Sequence, residues 1–430
     1  MPYITGSTSA LVWRQGTEVV SIDAHRALLR KVQEYACGCG VVGTVARSGT
    51  GNGTIRDIAS GPDAPSETWT VTFTDATNFT VSGSVTGSVA GGTVGTNYIS
   101  DGTALTAKIA FRITAGGTAF VAADTFTIPV TAGALSGQAE QWVLDRWSPF
   151  TTAGDGFNAI DDQTTNGATG ALIFHGQGSG TEAIYQGIAP FENAGSSIWN
   201  WVHRAYSGFS SSASWDSQVN PSPEVFTAFI NSDFTYWIIV NERRIIVIAT
   251  ASSTMHSCYM GFIKPFASPL EWPYPNAVFG EEDAATSYQN TGTNFTHSIF
   301  NPTAANAHIR MVDGTWRPAA SGTVTTANFA AWPKQSNGTP GNSSSIIDNM
   351  EVLPSADRQL LPVLLISTEV ASPGTNVTGL MTFGAMDGPK WIIGSGLTPQ
   401  TIVSVDGVDH LSVNGIFRLT TVDFWAMPLA

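Results

Sequence analysis

The sequence predicts a mainly β protein: an antiparallel sandwich-like framework, one N-terminal helix and a separate small antiparallel β-sandwich. Three observations point there. The segment Asp233–Gly280 holds two short runs rich in β-branched and aromatic residues, Phe234–Val240 and Ile245–Ala249, separated only by Asn241, Glu242, Arg243 and Arg244. Runs so short and so close suit adjacent antiparallel strands rather than two helices. Charged residues make up only 12% of the chain, about half the usual share, while Gly, Ser, Thr and Asn are plentiful. Short alternating strands recur at intervals of roughly ten residues across Arg47–Thr131, the spacing of a small sandwich.

Taken in order, Ser21–Cys37 predicts the helix, with Ile22, Ala24, Leu28, Leu29, Val32 and Tyr35 at spacings of three and four. Ser21 or Asp23 would cap its start, and Gly38 or Gly40 would end it. Such a helix would plug the end of the sandwich or pack on a neighbouring subunit. The following Gly- and Thr-rich region predicts strands at Trp69–Thr74, Asn78–Ser82, Ala107–Ile113 and Thr125–Val130. Here GTGNGTI at Gly49–Ile55, ETWTVTF at Glu67–Phe73 and IAFRITAGGTAFVAADTFTIPV at Ile109–Val130 resemble an immunoglobulin-like module of tailed-bacteriophage virion proteins. The resemblance implies an accessory sandwich with no catalytic residues. Residues 46–137 are therefore expected to be inserted into a framework of 1–45 plus 138–430, with a further division near 281–305 left open; three domains in series is the alternative.

In the framework, strands are expected at Gly170–His175, Glu182–Gly187, Val225–Asn231, Cys258–Ile263, Ala307–Val312, Gln359–Thr368, Gly379–Phe383, Lys390–Gly394, Thr401–Val405 and Gly415–Thr420. Trp199, Trp201, Phe209 and Trp215 suggest an aromatic core. Pro265, Pro269, Pro273 and Pro275 exclude helix and favour a stiff ribbon. The segments 243–280 and IFRLTTVDFWAMPL at Ile416–Leu429 resemble a group of tailed-phage virion structural proteins. That resemblance implies a tail or baseplate position first and the head or neck second.

Composition narrows the partners. The net charge is −14 and the pI about 4.8, which disfavours nucleic acid. No apolar run reaches membrane-spanning length, and the first residues lack a secretory signal. These features predict a soluble protein made in a cytoplasm, without membrane insertion; the resemblance to virion proteins implies that it is made in a host and carried in the virion. The expected partners are further copies of itself and other virion proteins, with host cell-surface glycan as an additional candidate. No cofactor is implied.

Candidate chemistry is sparse. Cys37, Cys39, His256 and Cys258 are four soft ligands for a structural zinc, set against buried thiols as the simpler reading. His175–Gly180, HGQGSG, reads as a turn between strands rather than a nucleophile loop. Asp161 and Asp162, and Glu281, Glu282 and Asp283, are loop acids; paired carboxylates are what a polysaccharide depolymerase would need, but adjacent loop acids read first as solvated charge. Trp272 and Tyr274, on the proline-stiffened ribbon, are candidates for an intersubunit anchor or a glycan platform, with core packing as the competing reading. The expectation is a structural protein, not an enzyme.

Overall fold

The computed structural model describes residues 12–18, 24–62, 64–101, 107–133, 142–148, 171–177, 183–192, 198–213, 215–230, 234–241, 243–251, 254–267, 271–272, 275–280, 307–318, 328–332, 360–369, 379–393, 397–413 and 423–429. The fold is mostly β, with several antiparallel sheets and a single α-helix among the described residues. The expected strand Gly415–Thr420 lies outside the described residues.

The hairpin of the sequence forms the middle of a seven-stranded sheet, ordered Val12–Glu18, Phe234–Asn241, Arg244–Ala251, Thr254–Phe262, Asn276–Phe279, Ala307–Arg310 and Trp316–Pro318. Its connection is tighter than a four-residue loop, because Asn241 pairs directly with Arg244 and Asn241 Oδ1 accepts from the backbone N–H of both Arg243 and Arg244 at 2.9 Å. Side chains alternate across a strand, and here both faces are covered. Ile238, Val240, Ile245, Val247, Cys258, Met260 and Val278 enter one core, whereas Trp237, Ile239, Ile246, Ile248, Tyr259 and Phe279 enter another. The register agrees, setting Ile238 opposite Val247 and Ile239 opposite Ile246. A sheet buried on both sides needs apolar residues at consecutive positions, which is why the run lacks polar alternation.

On the first face lie the helix Ala24–Ala36 and a five-stranded sheet of Val143–Ser148, Ala171–Gln177, Ala183–Glu192, Ile198–Tyr206 and Val225–Ile230, contributing Leu172, Phe174, Ile184, Ile188 and Trp201. Polar groups cross this interface as well: buried Gln186 Nε2 donates to buried Asn276 Oδ1. The outer face of the five-stranded sheet is closed by Trp215, whose carbonyl accepts from Tyr206 Oη at 2.8 Å. The second face carries a sheet built from Asn328–Trp332, Leu360–Glu369, Gly379–Ile393, Asp423–Pro428, Val408–Val413 and Ile402–Val405, to which Lys264–Pro265 adds at Gly379–Ile393. Its Val363, Leu365, Trp391, Leu411 and Trp425 fill the second core. The framework is thus three stacked sheets, one layer more than a simple sandwich.

Two expected strands, Gly379–Phe383 and Lys390–Gly394, are one continuous strand with an outward step. Leu364 faces Ala385, yet Pro362 faces Lys390, so Met386, Asp387, Gly388 and Pro389 form a bulge. A bulge re-aims side chains; this one turns Met386 into the second core and Asp387 towards the central hairpin.

The helix spans Ala24–Ala36 and is followed by Gly38, which takes φ +63°, a left-handed stop that glycine adopts without penalty. Residues 19–23, with the proposed caps Ser21 and Asp23, lie outside the described residues. Leu28, Leu29, Val32 and Ala36 are buried in the first core, so the helix packs within its own chain. Its other flank meets residues that follow Gly38: Gln33 Nε2 donates to Ser60 O at 3.1 Å, and Arg30 lies 3.6 Å from Asp57.

Residues 41–131 form two sheets of their own. One is ordered Val41–Val42, Thr125–Thr131, Glu67–Phe73, Asn78–Gly83 and Gly87–Thr93, with Ala46–Ser48 also on Thr125–Thr131; the other is Thr54–Ala59, Ala110–Thr114 and Asn97–Ile99. ETWTVTF alternates buried and less buried positions, and Trp69, Val71, Phe73, Phe111, Phe126 and Ile128 make a separate core. The unit starts and finishes side by side: Val42 pairs with Val130, and a Cβ on Gly133 would lie 2.0 Å from Gly38 O. The strand before it, Val12–Glu18, pairs along its length with Phe234–Asn241 after it.

Candidate functional site

The structure distributes the sequence candidates through the interior. Cys37, Cys39, Cys258 and His256 are all buried, and none of the cysteines is in a disulfide. Among the described residues no group of three or more His, Cys, Asp or Glu side chains is placed to hold a metal ion. Burial raises the Cys37 thiol well above its ordinary value, and the neighbouring Cys39 and Asp145 push in the same direction, opposite to what a metal-binding thiolate requires. Burial lowers His256 to about 3, so its ring is neutral at physiological pH. His203 behaves likewise, at about 3, and His308 at about 4, both through burial.

Trp272 is 2% exposed, with Nε1 donating to Arg310 O at 2.9 Å and its ring 5.7 Å from Phe383. It packs in the second core and offers no face to a sugar or a neighbouring subunit. Tyr274, Asp161, Asp162, Glu281, Glu282 and Asp283 lie outside the described residues. In the HGQGSG segment, His175, Gly176 and Gln177 are the last three residues of the strand Ala171–Gln177, and Gln177 pairs with Ala183 of the next strand, so the segment leads into a hairpin connection. His175 Nδ1 donates to Asp145 Oδ2 at 2.7 Å, beside the ring of Tyr185. That bond orients the imidazole.

One buried cluster of charges was not among these candidates. At the tip of the central hairpin, Arg243 Nε and Arg244 Nη1 approach a single oxygen, Asp387 Oδ2, at 3.2 and 2.9 Å. The two arginine side chains are only 6% and 5% exposed, against 21% for Asp387. Three elements build the junction. The Asn241 turn fixes the arginine backbone, the Phe262 ring lies 5.6 Å beneath the Arg243 guanidinium, and the bulge supplies Asp387. Gly388, at φ +102°, lets the Arg244 guanidinium lie against the backbone, since a Cβ there would sit 2.3 Å from Nη2.

Two lysines flank this ion pair. Lys264 is exposed and pairs with Ala385; Lys390, half-buried, comes three residues after Asp387. The Lys390 ammonium is lowered first by burial and then by the positive charge of Lys264, Asp387 opposes the shift, and Arg244 adds a smaller downward push. The sequence read Arg243 and Arg244 as polar loop residues. Asp387, 143 positions beyond Arg244, carries no local pattern that ties it to them.

No family profile matches the chain, and no curated protein matches it. Among solved structures, FlgL of Xanthomonas campestris (space group H3) is a partial match: 22% identity, 23% of this chain and 33% of that chain covered, TM-score 0.17. The alignment spans about a third of that protein's own length, and a similarity this slight carries no inference about fold or role.

Proposed function

We propose that this chain is a structural, non-enzymatic component of a tailed-phage virion, assembling as a homo-oligomer in the tail or baseplate. The observation that supports it is the layout of residues 41–131: a closed two-sheet unit with its own core, its first and last strands paired, lying in the chain between Val12–Glu18 and Phe234–Asn241, two framework strands that pair with each other. An inserted module is the simplest description of that layout, and it coincides with the stretch that resembles the phage immunoglobulin-like module. The framework spends its large aromatic residues on three stacked layers, with Trp201, Trp391 and Trp425 fully buried. A sparsely charged surface then suits broad interfaces that desolvate few ions.

Negative-stain imaging of particles labelled with an antibody to this chain tests the assignment. Label on the tail or baseplate is the expected result. Label confined to the head or neck moves the protein to the decoration role, and particles free of the chain overturn the reading.

A further inference from the structure

We propose that the junction of Arg243, Arg244, Lys264 and Lys390 is a binding site for an oxyanion, a carboxylate- or phosphate-type group held in front of the two buried arginines. Among the described residues, the cluster of Arg243, Arg244 and Asp387 has Lys264 and Lys390 on the strand segments beside it, and Lys390 feels the charges of Lys264, Asp387 and Arg244, in a chain with 19 basic residues and a net charge of −14. Asp387 alone does not balance these arginines and lysines. Both guanidinium groups reach for the same oxygen, and the buried Nε of Arg244 meets no acceptor. Buried arginine without acceptors is costly, and a purely structural pin between hairpin and bulge would require neither lysine. Neither Lys264 nor Lys390 forms an ion pair with the described residues, yet both stand beside the bulge that carries Asp387. Lys264 is exposed and Asp387 partly so, which leaves a route from solvent.

An oxyanion supplies what this arrangement lacks: negative charge and several acceptor lone pairs in a compact group, matched to guanidinium and ammonium donors. The group could come from free anion or from an acidic side chain of a second copy, and the two sources separate experimentally. In the full-length chain, calorimetric titration with phosphate and with citrate, against chloride at matched ionic strength, is expected to show saturable binding near one anion per chain. The double variant Lys264→Gln/Lys390→Gln is expected to weaken it by about tenfold or more, the loss of charged hydrogen bonds. Lys108→Gln, within the separate two-sheet unit, should leave it unchanged.

If a second copy supplies the group, light scattering will show wild-type association that free phosphate reverses and that the double variant lacks. Either pattern supports the site. Anion binding equal in wild type and double variant overturns it, as does a wild type showing neither saturable binding nor phosphate-sensitive association. The readouts do not depend on where the protein sits in a particle, so failure here leaves the virion assignment standing.

Discussion

Replacing Asp387 with Asn tests whether the hairpin and the bulge are joined by charge. The substitution keeps size and one acceptor oxygen but removes the only described carboxylate on Arg243 and Arg244. Those two nitrogens lie no more than about 6 Å apart, since both contact one oxygen, and unit charges at that separation repel by about 3 kcal/mol at an effective dielectric of about 20. Breaking a buried pair costs about 3–5 kcal/mol; Asp387 is 21% exposed, so solvent screening reduces the expected loss to about 2–4 kcal/mol. Urea unfolding in chloride buffer, followed by tryptophan fluorescence, is the assay. Trp69 is the only tryptophan between residues 46 and 137, so the signal reports mainly on the framework. Introducing Arg243→Met into the Asp387→Asn protein should restore at least about 1 kcal/mol, because it removes one uncompensated charge. A loss below about 0.5 kcal/mol for Asp387→Asn, or an Arg243→Met cost equal in both backgrounds, would refute an ionic joint.

Three further outcomes are expected. Trp272→Ala should cost about 3–5 kcal/mol as a large-to-small core substitution; a urea midpoint equal to wild type would return Trp272 to the surface. Asp124 accepts from the backbone N–H groups of Val121, Thr50 and Gly51, which hold its carboxyl below the usual range. Its stabilisation is therefore full above the unfolded value of about 3.9 and fades as pH falls towards the lower folded one. Scanning calorimetry from pH 5 to 2.5 should show the transition of the 41–131 unit falling more steeply in wild type than in Asp124→Asn, and parallel curves would contradict the assignment. Deleting residues 1–18 removes the strand paired with Phe234–Asn241 and leaves an apolar edge unpaired; size-exclusion chromatography should show aggregation, and a monodisperse deletion product would count against that strand's role.

What the sequence discloses depends on whether its pattern is local. ETWTVTF and DTFTIPV alternate because one face of each strand meets the core of a two-sheet unit, so those strands are readable without a partner in view. The run Tyr236–Val240 shows only that it is buried; that Ile238 faces the helix while Ile239 faces the opposite sheet is settled by layers contributed from residues far along the chain. Met386–Pro389 reads as a gap between strands, because Gly and Pro punctuate it, and only the pairing of Pro362 with Lys390 shows one strand stepping outwards. Trp272, flanked by prolines, invites an exposed reading, yet its indole N–H finds a carbonyl in the interior. The charged junction was illegible because Asp387 and the arginines meet only through tertiary structure.

The pairing of Val12 with Val240 also bears on how the chain is made. At synthesis rates of about 5–20 residues per second, the first strand leaves the ribosome roughly 10–45 s before its partner exists. The 41–131 unit, complete in its own contacts, is free to mature during that wait. The opening strand must meanwhile stay unpaired, which makes the interval before Phe234–Asn241 emerges the moment when nascent chains are most exposed to misjoining and when a chaperone has most to do.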